Sequence, residues 1–405
     1  MFTDYTEFGP TLLGDATRKL NATFRLANVN TTIANTLRRA ILTLTPSVGF
    51  RTEPYEKSDV AISVNTTPLV NEMIAHRVGM IPIKADPRTF KPELYEFVLD
   101  MRNDTKELMD VRAGNIQVFM MNPENPLEPP VKLNTADYFP PDPITGDTIL
   151  ITRLRPQWDP TAQKEQITFK ARASISTGTE NIRWSPVSQA SYEFTRDTNT
   201  EHIQAVFAGW LATNKKITDP SSLSEDQRAP LMREFETMEI QRCYLKNEKG
   251  EAYDFTFHIE SIGVQPITDI VQAALGRCMD LVSKYTDLDA VMPETVRIQQ
   301  GDSRFPSVEV IFTNEGHTLG NLLETYICEN NVDGSLEPKA NYVGYKVPHP
   351  LRPEMFVRLG MEGSANISAE VQSQTARLLV ANACKNLKNT FQQLLDAWVP
   401  KPLTQ

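Results

Sequence analysis

A phrase near the N-terminus of this chain returns near its C-terminus. Asn28, Thr32, Ile33, Ala34, Asn35, Leu37 and Ile41 recur in the same order and spacing as Asn314, Thr318, Leu319, Gly320, Asn321, Leu323 and Ile327. The offset, 318 minus 32, is 286 residues, far beyond the roughly 20–50 residues of a solenoid or propeller repeat. The repeat therefore marks two related halves.

Each copy reads as a strand, a turn and an amphipathic helix. In the second, Val308, Val310 and Phe312 alternate with Glu309 and Thr313, as a half-buried strand requires, although Ile311 interrupts the pattern. Thr318 is then placed to cap a helix carrying Leu319, Leu322, Leu323, Tyr326 and Ile327 on one face. In the first copy Thr23 to Leu26 is the strand, and Thr31 or Thr32 caps a helix with Ile33, Leu37, Ile41 and Leu44 on one face. Each helix has an apolar stripe to bury, and two copies in one chain are expected to bury each other as a pseudo-two-fold pair, as homodimers do with two chains.

The 405 residues suffice for two or three domains. No apolar run approaches a membrane span, and the opening MFTDYTEFGP has neither the basic nor the apolar region of a signal peptide. A soluble, intracellular protein without membrane contact is expected. Cys243, Cys278, Cys328 and Cys384 lie far apart, so buried free thiols are expected in place of a metal site. A formal net charge of −10 opposes gripping nucleic acid, which takes a basic surface.

Between the halves the text changes character. From 49 to 196 short β-like runs, Asp59 to Val64, Glu96 to Met101, Ile116 to Met121, Ile149 to Leu154 and Ile167 to Ala173, alternate with proline-rich connections, the longest at 123–143. This is an inserted, mostly β domain with one helix from Pro68 to Val78, for which Asn65 to Thr67 offer a cap. The first module comprises 1–48 and 197–285. Its second part carries helices around 202–238, a strand at Phe255, Phe257 and Ile259, and a helix after Pro266 with Ile270 and Leu275 on its apolar side. Residues 286–307 read as a linker of about 20 residues, able to reach roughly 70 Å when extended. The second module, 308–405, ends in a helix from Ser368 to Trp398 whose Cys384, Leu387, Phe391 and Leu394 share a face. At about 30 residues it would run roughly 45 Å, suited to lying along a partner helix. The fold class expected is α+β.

Glu315-Gly316-His317-Thr318-Leu319-Gly320-Asn321-Leu322-Leu323 and Gly344-Tyr345-Lys346-Val347-Pro348-His349-Pro350-Leu351 closely resemble the small alpha-like subunit of archaeal and eukaryotic DNA-dependent RNA polymerases. Ala34 to Ala40, Asn71 to Pro82, Trp184-Ser185-Pro186-Val187 and Phe257 to Gly263 resemble the larger alpha-like subunit. The resemblance covers most of the chain and implies both partners of a heterodimer fused in one polypeptide, as in some large DNA viruses. That heterodimer is a noncatalytic platform for the catalytic subunits. It implies two alpha-like dimerisation modules of sheet plus helices pairing within the chain, so no homodimer is needed. The implied partners are the largest and second-largest polymerase subunits and small accessory subunits, with little or no direct nucleic acid contact. The implied location is the virion and host cytoplasm if viral, or the nucleus if cellular. Some relatives of the larger subunit carry a zinc-binding cysteine cluster in the inserted domain; here no cysteine precedes Cys243, and no metal or cofactor is expected.

Arg38, Arg39, His76, Arg77, Trp184, His317, Asn321, Tyr345, Lys346 and His349 are the candidate partner-facing residues. Ile33, Leu37, Ile41, Ile270, Leu275, Leu319, Leu322, Leu323, Tyr326, Leu387, Phe391 and Leu394 are the candidate pairing residues. A competing expectation is a free-standing hydrolase or metal enzyme using His317 or His349, but neither has an acidic cluster or His-x-His neighbour. Glu72 and His76, four apart, supply only two ligands and read as a hydrogen-bonded pair packing a helix. Asp287-x-Asp289 lacks the carboxylate-rich context of a magnesium site. No catalytic residue is expected.

Overall fold

The computed structural model describes residues 1–9, 19–122, 129–157, 161, 163–301, 305–361 and 368–398. Residues 123–128 of the proline-rich connection and 302–304 of the expected linker lie outside these. The chain opens with β1 (Phe2–Phe8), β2 (Asn21–Ala27), α1 (Thr31–Thr43) and β3 (Pro46–Gly49). Through the inserted domain follow β4 (Val60–Asn65), α2 (Asn71–Gly79), β5 (Tyr95–Arg102), β6 (Met109–Arg112), β7 (Gln117–Met120), β8 (Val131–Leu133), α3 (Thr135–Tyr138), β9 (Leu150–Leu154), β10 (Gln166–Ala171) and β11 (Ser174–Thr177). The first module resumes with β12 (Val187–Phe194), α4 (Thr200–Trp210), α5 (Glu225–Met238), β13 (Asp254–Ser261) and α6 (Ile267–Ser283). The last part comprises β14 (Val296–Gln300), β15 (Val308–Thr313), α7 (His317–Ile327), β16 (Tyr342–Lys346), β17 (Glu354–Gly360) and α8 (Ala369–Ala397).

Two four-stranded antiparallel sheets mirror the repeat, one ordered β1-β2-β13-β12 and the other β14-β15-β17-β16. In the first, Phe24 and Phe257 face each other across the ladder and stack at 4.9 Å. The alternation of Phe255, Phe257 and Ile259 points all three inward. Both sheets bury their inner faces against α1, α6, α7 and α8, and residues of both halves form one continuous apolar core. In the second sheet the outward Glu309 is itself buried, because Arg358 donates to it from β17 and Gln299 from β14 at 2.6 Å. That pairing lets a carboxylate sit in the centre of a strand without solvent.

The inserted domain has a separate core around the five-stranded sheet β4-β10-β5-β7-β8, with the ribbons β3/β11 and β6/β9 beside it. Helices α4 and α5 pack Phe207, Trp210 and Phe235 into a third, small core.

Three assignments differ from the sequence expectation. Val187–Phe194 falls within 49–196, yet it is the edge strand of the first module's sheet, paired with β13. The expected linker holds β14, an edge strand paired with β15; only Val296 and Ile298 face the core, alternating with the exposed Arg297 and Gln299, a pattern too short to mark a strand. At α2 the cap is Val70, with no side-chain bond. Asn65 ties the preceding loop instead, donating to the Leu69 carbonyl at 2.7 Å and to Asn71 Oδ1 at 2.8 Å.

A shared core couples the halves mechanically. Leu37→Ala, in α1, is expected to cost about 2–5 kcal/mol and to accelerate amide hydrogen exchange in α7 and α8 of the other half. Acceleration confined to the first module would contradict a single cooperative core.

Candidate functional site

The repeat converges where α1 crosses α7. Thr32 and Thr325 join hydroxyls at 2.9 Å, and Arg39 Nε donates to Thr318 Oγ1 at 2.8 Å. Adding the repeat offset, 32 + 286 = 318 and 39 + 286 = 325, so each bond is the other's mate under the exchange of halves. This reciprocity is the signature of an isologous two-fold contact, here made by one chain.

The other repeated polar residues also find a reason. Asn28 and Asn314 both sit in the left-handed region at φ 62, which Asn tolerates better than most residues. Their backbone N–H groups donate to the Tyr253 carbonyl at 2.8 Å and the Pro353 carbonyl at 2.6 Å. The expected threonine caps are corrected: Asn30 caps α1, accepting from the Ile33 N–H at 2.9 Å, and Gly316 stands at the start of α7 without a side-chain cap. Thr32 and Thr318 are left free for the seam. Asn30 also reaches across the seam to Glu329, at 3.2 and 3.3 Å.

Beneath these bonds Ile33, Leu37, Ile41, Ile270, Leu275, Leu319, Leu322, Leu323, Leu387, Phe391 and Leu394 are buried in the common core, with Tyr326 half-buried against it. The long α8 is fastened at both ends. Arg377 donates to the Leu288 carbonyl at 2.7 Å, and the Trp398 indole N–H donates to the Thr268 carbonyl at 3.0 Å. Asp289 lies 3.6 Å from Lys385. Cys243, Cys278 and Cys384 are buried, whereas Cys328 is half-exposed beside Asp333 at 3.6 Å, which departs from the expectation of four buried thiols. Among the described residues no group of three or more His, Cys, Asp or Glu side chains is placed to hold a metal ion.

The partner-facing candidates fall into separate places. His317 is exposed at the start of α7, its Nδ1 3.3 Å from the Tyr345 hydroxyl. The Tyr345 ring lies so close over Gly320 that a Cβ there would collide with it. Burial pushes the Tyr345 phenol up, with Glu324 adding to the shift and Arg39 opposing it, so the seam arginine and this edge share one electrostatic neighbourhood. Asn321 is half-buried on α7, and Lys346 and His349 are exposed beyond it. Arg38 is half-buried on α1, its Nε bonded to Asn35 Oδ1 at 3.0 Å.

In the inserted domain His76 is exposed, facing Glu53 at 3.9 Å. No bond joins it to Glu72, so the expected pair is not formed. Arg77 fastens α2 to β9, donating to the Ile151 and Leu150 carbonyls at 2.6 and 3.0 Å. Trp184, expected at a partner surface, is 1% exposed. Its carbonyl accepts from Ser47 at 2.6 Å, and its ring lies against Gly49, where a Cβ would come within 3.1 Å. It is a packing residue with no face left for a partner. Arg51 lies over the ring at 5.8 Å and holds Glu180 through two bonds of 2.6 and 2.9 Å.

Two strand–turn–helix modules closed on each other by a reciprocal seam define an intramolecular dimerisation unit. The chain belongs to the RNA polymerase Rpb3/Rpb11 dimerisation domain family, which residues 23–282 match, with residues 307–397 matching a second domain of the same description. It is similar to DNA-directed RNA polymerase subunit Rpo3 of Methanopyrus kandleri, at 30% identity over 42% of this chain and 54% of that protein. The subunit rpac1 of DNA-directed RNA polymerases I and III from Dictyostelium discoideum is 29% identical, over 62% of this chain and 74% of its own length. Subunit Rpo3 of Pyrococcus horikoshii is 25% identical, over 65% of this chain and 91% of its own. The chain thus spans about half of the first of these relatives and most of the other two.

Arg39→Ala should cost about 1.5–3 kcal/mol, the range for hydrogen bonds to charged groups, and most of that loss should vanish in a Thr318→Ala background; a double-mutant cycle in urea measures it. In the inserted domain Arg51 holds the Glu180 carboxyl down from 4.5 to about 2, against burial and with help from Ser176. A depressed carboxylate stabilises the fold above its unfolded value and loses that contribution as pH falls. The difference in melting temperature between wild type and Glu180→Gln should therefore be full above about pH 4.5 and shrink toward about pH 2.

Proposed function

We propose that this chain is a noncatalytic assembly platform of a multisubunit DNA-directed RNA polymerase, with the larger and smaller alpha-like partners fused in one polypeptide. The observation that carries the proposal is the presence of two Rpb3/Rpb11-type domains contributing to one core. Tethering raises the effective concentration of the pairing halves to about the millimolar range, so the platform forms without a search for a partner. Its ligands are the largest and second-largest polymerase subunits and small accessory subunits, received on α1 around Arg38, the inserted domain and the segment from Gly344 to Leu351. The fused order and the lack of cysteine before Cys243 support a viral polymerase, which would put the chain in the virion and host cytoplasm; a cellular one would put it in the nucleus.

Purification of the tagged chain from its native source tests the proposal: two very large polymerase subunits should co-elute, and a persistent lone chain would count against it. Arg38→Ala sharpens the test, because Arg39 is committed to the seam while Arg38 caps no contact between halves. Capture of the second-largest subunit should weaken several-fold, with an unchanged melting temperature. Undiminished capture would remove α1 from the partner surface.

A further inference from the structure

Leu351 is 86% exposed, more than any other large apolar side chain among the described residues. A lone exposed leucine is ordinary on a protein surface; what distinguishes this one is how rigidly it is held. It sits in the turn Pro348-His349-Pro350-Leu351-Arg352-Pro353, where three prolines restrict the backbone. The Leu351 N–H donates to His349 Nδ1 at 3.1 Å, and the Arg352 N–H donates to the His349 carbonyl, also at 3.1 Å. The Glu354 N–H closes on the Arg352 carbonyl at 2.8 Å. Pro353 in turn accepts from the left-handed Asn314 at 2.6 Å, which ties the turn to the root of α7 and so to the seam.

The surroundings are cationic. Lys346 and Arg352 are exposed, and neither has an ion-pair partner among the described residues. The nearby Glu354 is taken by Arg297 at 2.7 Å. On a chain of net charge −10, two unpaired cations flanking a fixed apolar knob form a local reversal of charge.

We infer that Leu351 is an anchor that inserts into an apolar pocket rimmed by carboxylates on one of the two large polymerase subunits. The inference rests on the platform function proposed above and names the chemistry of one of its contacts. A preorganised turn loses little conformational freedom on docking, and an aliphatic anchor seated in a pocket with a satisfied polar rim is one of the arrangements that make a specific interface. His349 then acts by shaping the turn, which accounts for its place in the phrase without catalysis.

The test uses the full-length chain in the assembled polymerase. Leu351→Ala and Leu351→Asp should weaken retention of one large subunit by about tenfold or more while the free chain melts as wild type. Lys346→Glu with Arg352→Glu should weaken the same subunit's retention. A photo-crosslinker at position 351 should map to apolar residues bordered by Asp or Glu on that subunit. Full retention of both large subunits by Leu351→Asp, or crosslinks to none of them, overturns the inference while leaving the platform function standing. Failure of the wild-type chain to retain any polymerase subunit overturns both.

Discussion

Burial of the α1 and α7 stripes against each other and against α6 and α8 is the constraint on which the rest depends. Each sheet has one apolar face, and each needs helices from both halves to cover it. The core residues of one half are therefore exposed when the other is absent. At about 25 cal/mol for each Å² of apolar surface removed from water, the driving force is non-directional, and register has to come from elsewhere. The reciprocal bonds Thr32–Thr325 and Arg39–Thr318 supply it, since a slip of one helix along the other would break both.

The two bonds are mates by position but not by chemistry: a hydroxyl pair on one side, a guanidinium on a hydroxyl on the other. The halves share a frame and have diverged around it. The inserted domain and the α4/α5 pair belong to the first half, whereas the proline-held turn at Leu351 belongs to the second. A symmetric frame with asymmetric surfaces suits the platform for two different large partners proposed above.

Much of this was legible in the chain itself. The helices announced themselves through long 3.6-residue stripes, as in Ile270, Leu275, Leu387 and Phe391, because those faces are buried along their whole length. The five strands expected in the inserted domain fall within a residue or two of β4, β5, β7, β9 and β10, since alternation and proline breaks are local signals, whereas the short β6, β8 and β11 carry too few residues to show a pattern. Sheet membership is not local: nothing in Val187–Phe194 says that it pairs with β13 and not with a strand of the insertion. The edge strand Val296–Gln300 turns only Val296 and Ile298 to the core, too few positions to stand out from a linker. A cap is the commonest local use of Thr before a helix, whereas the seam that the repeat's threonines serve joins residues nearly three hundred positions apart. Trp184, expected at a partner surface from the family resemblance, is drawn inside by burial of its apolar ring, for which the missing Cβ at Gly49 leaves room.

A permanent pair of halves in one chain has a direct consequence for cleavage between them. Val291 and Met292 are exposed in the connection between α6 and β14, so a protease site introduced there would cut the folded full-length protein. After cleavage the two pieces should co-elute as a single species by gel filtration and part only on unfolding. Separation into two independently folded pieces under native conditions would show that the halves are not a permanent pair.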